Sequence, residues 1–133
     1  MLAVNRVAGI VSGASPAYNV GEMVYALKTA NAKFLFTVPG SMEVASKAAE
    51  KAGIARERVF LLEGEMEGFR TMSELLEQGK REKEQVVEYK LRDGESNKDL
   101  CGFLSFSSGT TGLPKAVSPH YQLRLLQRIK GGG

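Results

Sequence analysis

The chain has 133 residues, of which 43% are hydrophobic and 25% charged, and its formal net charge is +3. These values are typical of a globular protein, and the length is that of one domain. The mild positive charge favours anionic ligands but does not by itself indicate nucleic acid binding. A single cysteine excludes an internal disulfide. Without an evident secretory leader or a bilayer-length apolar run, we expect an intracellular protein with no membrane span.

The first elements in chain order alternate between strand and helix. Residues 8–12 form a β-branched, glycine-bounded run that predicts a strand. Asn19 is expected to cap a helix over residues 20–31, with Glu22 reaching back to complete a capping box. Four residues recur at helical spacing and predict its buried face: Met23, Ala26, Leu27 and Ala30.

The alternation continues along the middle of the chain. Residues 33–38 are almost fully apolar, which predicts a strand covered on both faces. Ser41 is expected to cap a helix over residues 42–52 that Gly53 ends. A third strand is predicted over residues 58–62. A third helix is expected to begin at Thr71 or Ser73, to end near Gln78 and to stop at Gly79. This order predicts an α/β fold with a parallel β-sheet flanked by helices.

Two features near the middle carry many charges. Residues 80–99 have few large apolar side chains and are interpreted as a solvated linker. Glu63, Glu65 and Glu67 alternate with other residues after the third strand. They could bind a cation or serve acid–base chemistry, but a solvated loop is the preferred interpretation. The strand pattern returns over residues 99–106, where Cys101 is interpreted as a buried strand residue, and residues 116 and 117 could begin a returning strand.

The segment that follows this strand is rich in glycine and hydroxyl groups. Hydroxyls and free backbone N–H groups donate hydrogen bonds to phosphate oxygens, and a lysine adds a point charge. Glycines allow the backbone to approach a ligand closely. The alternative is a hairpin turn without a ligand. The candidate phosphate-binding residues are Ser107, Ser108, Gly109, Thr110, Thr111, Gly112 and Lys115.

This segment departs from the common P-loop, because Leu113 and Pro114 stand between the second glycine and Lys115. It resembles the AMP-binding signature of the adenylate-forming enzymes, which include acyl-CoA synthetases, 4-coumarate–CoA ligases, luciferases and peptide-synthetase adenylation domains. Residues 9–18, 22–28 and 59–62 resemble the segments upstream of that signature. Residues 2–7 resemble the end of a helix. The resemblance implies that residues 1–117 are part of the family's large N-terminal domain, with the charged linker at about 80–99.

The resemblance also implies a chemistry. Family members activate a carboxylic acid with MgATP to give an acyl-adenylate, which a thiol, usually coenzyme A, then attacks. By position, three side chains would donate hydroxyls to the β- and γ-phosphates, namely Ser107, Thr110 and Thr111. Ser108, Gly109 and Gly112 would supply backbone contacts, and Lys115 would lie near the polyphosphate. A peroxisomal tripeptide is common at the end of relatives, whereas this sequence ends in glycines, so the expectation stays open between a cytoplasmic and a peroxisomal location.

The family's acyl pocket, magnesium-binding segment and catalytic lysine lie downstream of the phosphate loop, and residues 118–133 offer no candidates for them. We therefore assign no catalytic residue and no metal ligand, and we expect the chain alone not to adenylate an acid. Two alternatives remain open. One is a nucleotide- or phosphate-binding module without chemistry. The other is a ligand-free interaction protein or residual fragment that self-associates through the uncovered apolar strands over residues 9–12 and 33–38.

The end of the chain departs from the family pattern. Family members usually carry a histidine at a fixed distance after the lysine of the loop. In Ser118-Pro119-His120, the histidine stands one residue earlier than in that pattern, and a proline precedes it. His120 is interpreted as a surface or capping residue. Residues 121–130 predict a solvated, basic amphipathic helix, and the chain ends in three glycines. We therefore treat residues 118–133 as a divergent tail.

Overall fold

The computed structural model describes residues 2–96, 101–107 and 115–117. The chain divides into two compact units, the first comprising residues 1–14 and 86–133 and the second residues 15–85. The elements are α1 (Leu2–Asn5), β1 (Val11–Ser12), α2 (Val20–Thr29), β2 (Leu35–Thr37), α3 (Met42–Ala52), β3 (Val59–Leu61), β4 (Arg70–Thr71), α4 (Met72–Arg81), β5 (Phe103–Ser107) and β6 (Lys115–Val117).

The second unit contains a parallel sheet with the strand order β2-β3-β4. Thr37, Leu61 and Thr71 form one row across its three carboxyl ends. Helices α2 and α3 pack against each other, and their apolar side chains meet one face of the sheet. The buried cluster between them consists of Met23, Leu27, Met42, Ala48, Ala49, Ile54, Val59 and Leu61. The predicted α/β fold with a parallel sheet and flanking helices is confirmed.

The helix ends in this unit follow local sequence signals. The Asn19 side chain accepts from the Glu22 N–H at 3.0 Å, and the Glu22 carboxylate accepts from the Asn19 N–H at 2.9 Å, which confirms the predicted capping box. Thr71 and Glu74 form the same arrangement at α4. Gly53 ends α3 at φ 79°, where a left-handed backbone lets its N–H and that of Ile54 reach back to helix carbonyls.

Several predictions about this unit are wrong in detail. Ser41 occupies the N-cap position of α3, but its side chain makes no capping hydrogen bond, because a 3-10 turn over Pro39–Ser41 leads directly into the helix. Gly79 does not stop α4, which continues to Arg81, since an exposed glycine weakens a helix without breaking it. The strand β4 was not predicted, because two residues carry no recognisable periodicity.

The prediction that residues 33–38 form a strand covered on both faces is also wrong. The strand is shorter, Leu35–Thr37. On the face away from the helices, Phe36 is 36% exposed, and the adjoining Phe34 is 59% exposed. The apolar run therefore reflects one buried face and one exposed aromatic face.

In the first unit, α1 ends sooner than the sequence suggested and β1 is shorter. The N–H groups of Ala8 and Gly9 donate to the carbonyls of Asn5 and Val4 at 3.0 and 2.9 Å. With Ala8 at φ 58°, this is the Schellman arrangement that ends helices. Residues 8 and 9 thus close α1 instead of beginning a strand, and β1 is confined to Val11–Ser12.

The charged segment returns to α1. The Tyr89 N–H donates to the Arg6 carbonyl at 2.8 Å, and the Arg6 and Glu88 side chains lie 3.9 Å apart. Tyr89 Oη donates to the Glu95 carboxylate at 2.6 Å. Cys101, predicted to be a buried strand residue, is only half-buried and precedes β5, with its thiol donating to the Phe103 carbonyl at 3.3 Å. The predicted tail, with His120, lies outside the described residues.

Candidate functional site

The candidate phosphate loop joins two antiparallel strands, β5 and β6. Their register pairs Ser105 with Val117, Phe106 with Ala116 and Ser107 with Lys115. The returning strand predicted at residues 116 and 117 is therefore present and begins at Lys115. Of the seven candidate residues, the structure brings the first and the last directly opposite each other. The other five, Ser108, Gly109, Thr110, Thr111 and Gly112, lie outside the described residues, so their arrangement stays a prediction.

Strand β1 pairs with β5 along the edge of β5 that faces away from β6. The two strands are parallel, with Val11 paired to Phe103 and Ser12 to Leu104. The Gly13 N–H continues the ladder to the Leu104 carbonyl at 3.3 Å. A Cβ at Gly13 would lie 3.3 Å from the Phe103 ring, so the glycine permits a close approach. The carboxyl ends of both strands lie at the same end of the sheet. In open α/β sheets, ligands bind just beyond the carboxyl ends of the strands.

Asn5 connects the starts of β1 and β5. The surroundings of the Asn5 amide assign its nitrogen, and not its oxygen, to the side of two carbonyls, and in that orientation Asn5 donates to Gly102 and Gly9 at 3.0 and 3.1 Å. A Cβ at Gly102 would lie 3.3 Å from the Asn5 side chain, so a glycine fits there. The sequence analysis missed this residue, since no local pattern links positions nearly one hundred residues apart.

The charges in the described residues lie mostly on the surface. Glu63, Glu65 and Glu67 are exposed, as expected of a solvated loop. The described part of the chain contains no group of three His, Cys, Asp or Glu residues that could hold a metal ion. It also contains no helix long and apolar enough to cross a bilayer. On α3, the Lys47 ammonium donates to the Glu43 carboxylate at 2.6 Å, and this hydrogen bond and charge lower the pKa of Glu43.

The α/β fold with a parallel sheet, together with the loop sequence, is similar to that of the adenylate-forming enzymes. The profile of the AMP-binding enzyme family matches residues 1–125. Acyl-CoA synthetase ACTT5 of Alternaria alternata is 32% identical over 117 residues, which are 84% of this chain and 19% of that protein. Acyl-CoA ligase azaF of Aspergillus niger is 32% identical over 130 residues, 92% of this chain and 24% of that protein. The chain belongs to the AMP-binding enzyme family.

Other matches agree with this assignment. Phenylacetyl-CoA ligase epaB of Aspergillus niger is also 32% identical, over 92% of this chain and 23% of that protein. The structure of the luciferase-like enzyme from Zophobas morio matches with a TM-score of 0.59 and 22% identity, over 84% of this chain and 24% of that chain. A red-emitting luciferase from Phrixothrix hirtus matches with a TM-score of 0.67 and 16% identity, over 88% and 22%. These two structures show the shared fold.

The chain therefore resembles acid–CoA ligases and spans between 19% and 24% of the length of these curated relatives. Members of the family's acyl-CoA ligase branch use ATP and coenzyme A in general. The resemblance to the adenylate-forming enzymes, which the loop signature indicated, is confirmed at the level of the family.

Proposed function

We propose that residues 107–115 bind the polyphosphate of ATP, and that the chain supplies this site to an ATP-dependent acid–CoA ligase. The observation that carries the proposal is the pairing of Ser107 with Lys115 at the ends of β5 and β6. A segment anchored at both ends needs to lose less conformational freedom when it closes around a ligand. The likeness of the loop to the AMP-binding signature supports the same assignment.

Each part of the loop has a donor to offer. Hydroxyls of Ser107, Thr110 and Thr111 would donate to the β- and γ-phosphate oxygens, and the charge of Lys115 would strengthen these hydrogen bonds. Backbone N–H groups of Ser108, Gly109 and Gly112 would add further donors. When bound, ATP supplies an electrophilic α-phosphate and a pyrophosphate leaving group for the activation of a carboxylic acid.

We propose that Mg²⁺ enters this site together with ATP. Mg²⁺ is usually held by one or two carboxylates together with substrate phosphates and water. No cluster of three candidate ligands occurs in the described residues. The donor set of the loop fits phosphate oxygens, since it consists of hydroxyl, amide and ammonium donors. Coenzyme A and the acid would be bound by an enzyme of which this chain is the nucleotide-binding part.

The 133 residues by themselves are proposed to bind MgATP without turnover. The first experiment is a thermal melt of the chain with and without millimolar MgATP. Because a ligand that binds only the folded state stabilises it, we expect the Tm to rise by about 5 °C at a concentration near ten times the Kd. Lys115→Ala should abolish most of this rise, whereas Lys115→Arg should keep part of it.

A lysine outside the loop provides the matched control. Lys51 is exposed in the last turn of α3, and Lys51→Ala should leave the MgATP-induced rise unchanged. An equal rise in Lys115→Ala, or no rise in the parent chain, would contradict the nucleotide site. ATP–pyrophosphate exchange by the pure chain would contradict binding without turnover.

A further inference from the structure

The Asn5 side chain joins the starts of two strands that are far apart in the sequence. In the orientation assigned to its amide, Asn5 donates to the Gly102 carbonyl, directly before β5, at 3.0 Å. It also donates to the Gly9 carbonyl, shortly before β1, at 3.1 Å. All three residues belong to the first unit of the chain. One side chain therefore holds both strand starts in a fixed relation.

The ladder between β1 and β5 is short. It pairs Val11–Ser12 with Phe103–Leu104. A slip of one residue would turn the side chains of a strand to the opposite face of the sheet, and a short ladder opposes such a slip with few hydrogen bonds. A further connection at the strand starts is therefore needed to fix the position of β5 along β1.

The Gly102 carbonyl is the point at which the ladder and the Asn5 side chain meet. It accepts from the Val11 N–H at 3.1 Å and from the Asn5 amide at 3.0 Å. These two donors use both lone pairs of the oxygen. A Cβ at Gly102 would lie 3.3 Å from the Asn5 amide, which is closer than ordinary van der Waals contact. The amide thus occupies the space that a side chain at position 102 would need.

Strand β5 connects this point to the candidate phosphate loop. The extended chain from Gly102 to Ser107 spans about 17 Å, at about 3.3 Å per residue. Because an extended chain cannot lengthen, a displacement of Gly102 along the strand also displaces Ser107. Ser107 pairs with Lys115 on β6, so the other end of the loop is displaced with it. The position of the loop relative to β1 therefore depends on the hydrogen bonds at Gly102.

We propose that Asn5 is a positioning residue for the phosphate loop, because it fixes β5 along β1 and thereby places residues 107–115 for the polyphosphate of ATP. The proposal rests on the nucleotide site proposed above. Asn5 lies at the opposite end of β5 from the loop, so its contribution is indirect. It limits the positions that β5 can adopt before ATP arrives, and a preorganised site loses less conformational freedom on binding.

The test measures the Kd of MgATP for the 133-residue chain by isothermal titration calorimetry. Each variant is studied well below its own Tm, so that a loss of stability alone leaves the Kd unchanged. Asn5→Ala removes both donors and should raise the Kd about threefold to fivefold. Asn5→Asp keeps the shape of the side chain but loses the donors at neutral pH, and it should raise the Kd at least as much.

The matched control removes a comparable hydrogen bond in the second unit. The Asn19 side chain accepts from the Glu22 N–H at 3.0 Å at the start of α2. Asn19→Ala should therefore destabilise its helix but leave the Kd of MgATP unchanged. An equal rise in the Kd of Asn19→Ala and Asn5→Ala would overturn the proposal, because any lost hydrogen bond would then have the same effect.

Gly102→Ala tests the same connection from its other partner. The added methyl group would displace the Asn5 amide, so this variant should raise the Kd about as much as Asn5→Ala. In the double variant Asn5→Ala/Gly102→Ala the methyl group meets no amide, so its Kd should equal that of Asn5→Ala alone. Additive losses in the double variant would show that the two residues act separately, which contradicts the proposal.

Hydrogen exchange of the ligand-free chain reports on the ladder itself. The N–H groups of Val11 and Gly13 donate to the carbonyls of Gly102 and Leu104, and they should exchange faster in Asn5→Ala but not in Asn19→Ala. A Kd of Asn5→Ala equal to that of the parent chain would overturn the positioning role, even with faster exchange. A raised Kd with unchanged exchange would overturn it too. If the parent chain does not bind MgATP, the nucleotide site on which the proposal rests is itself overturned.

Discussion

Ser107 and Lys115 are directly paired across the antiparallel β5 and β6 strands. The pairing brings together the first and last residues of a segment that contains five further candidate phosphate-binding positions. In sequence the two residues are eight positions apart, but in the sheet they are neighbours. If the loop binds a phosphate group, residues at the start and at the end of the loop would therefore both lie close to that group.

A disulfide can test this register. In a Cys101→Ser background, Ser105→Cys/Val117→Cys places thiols at opposed positions, where Cα separations of about 4.5–5.5 Å suit a disulfide. We expect this pair to oxidise readily, as followed by thiol titration and peptide mapping. Ser105→Cys/Ala116→Cys is the matched pair, and it should oxidise far more slowly because adjacent positions alternate between faces. Equal oxidation of the two pairs would show that the register is different.

Asn5 should contribute more to the free energy of unfolding than its exposed position suggests. Asn5→Ala removes the two donors to Gly102 and Gly9 and should lower the free energy of unfolding by about 1 kcal/mol. Asn5→Asp should cost more, because a carboxylate would face two carbonyl oxygens. Urea denaturation at neutral pH measures both effects. If the two variants are as stable as the parent chain, the hydrogen bonds of Asn5 to Gly102 and Gly9 do not contribute to the stability of the fold.

Ala8 adopts a left-handed backbone conformation that favours glycine, with φ 58°. Ala8→Gly should therefore raise the free energy of unfolding by about 0.5–1 kcal/mol, the relief of strain exceeding the added entropy of the unfolded chain. Thermal and urea unfolding provide the measurement. The same substitution within α3, Ala52→Gly, should destabilise instead, because glycine is unfavourable in a helix. A loss of stability in both variants would argue against strain at Ala8.

Gly79 lies within α4, and a Cβ added there would meet nothing within 4 Å. Gly79→Ala should therefore raise the free energy of unfolding by about 0.5–1 kcal/mol through helix propensity alone. Gly53→Ala is the contrasting variant, since the φ of 79° at Gly53 would strain an alanine by about 1 kcal/mol. Chemical denaturation of the two variants should give shifts of opposite sign. Stabilisation by both, or by neither, would contradict this account.

The ion pair on α3 should make a small pH-dependent contribution. Lys47 lowers the pKa of Glu43 from its ordinary value of 4.5 through a hydrogen bond and its charge. Since the folded-state pKa is the lower one, the stabilisation is present above about pH 4.5 and is lost as the pH falls through the folded-state value. Lys47→Met should return the pKa of Glu43 toward 4.5 in an NMR titration, whereas Lys51→Met should leave it lowered. An unchanged pKa in Lys47→Met would show that the pair does not form.

Local signals predicted the features that depend on a few neighbouring residues. The capping box of Asn19 and Glu22 and the left-handed end at Gly53 need only residues within one helical turn, and both are present. The loop signature in residues 107–115 likewise carried the family assignment, because its glycines and hydroxyls are contiguous. Gly79 shows the limit of such signals, since a glycine can lie inside a helix whose other residues maintain it.

The sequence by itself thus determined the start of α2, the end of α3, the α/β class and the family to which the chain belongs. Only the tertiary structure decided that β1 pairs with β5 across about ninety residues, that Asn5 reaches Gly102, and that β4 exists. It also decided that Phe36 lies on an exposed face while Leu35 is packed into the core. These features depend on strands and side chains brought together from distant positions, and alternation along an apolar strand does not reveal which face a helix will cover.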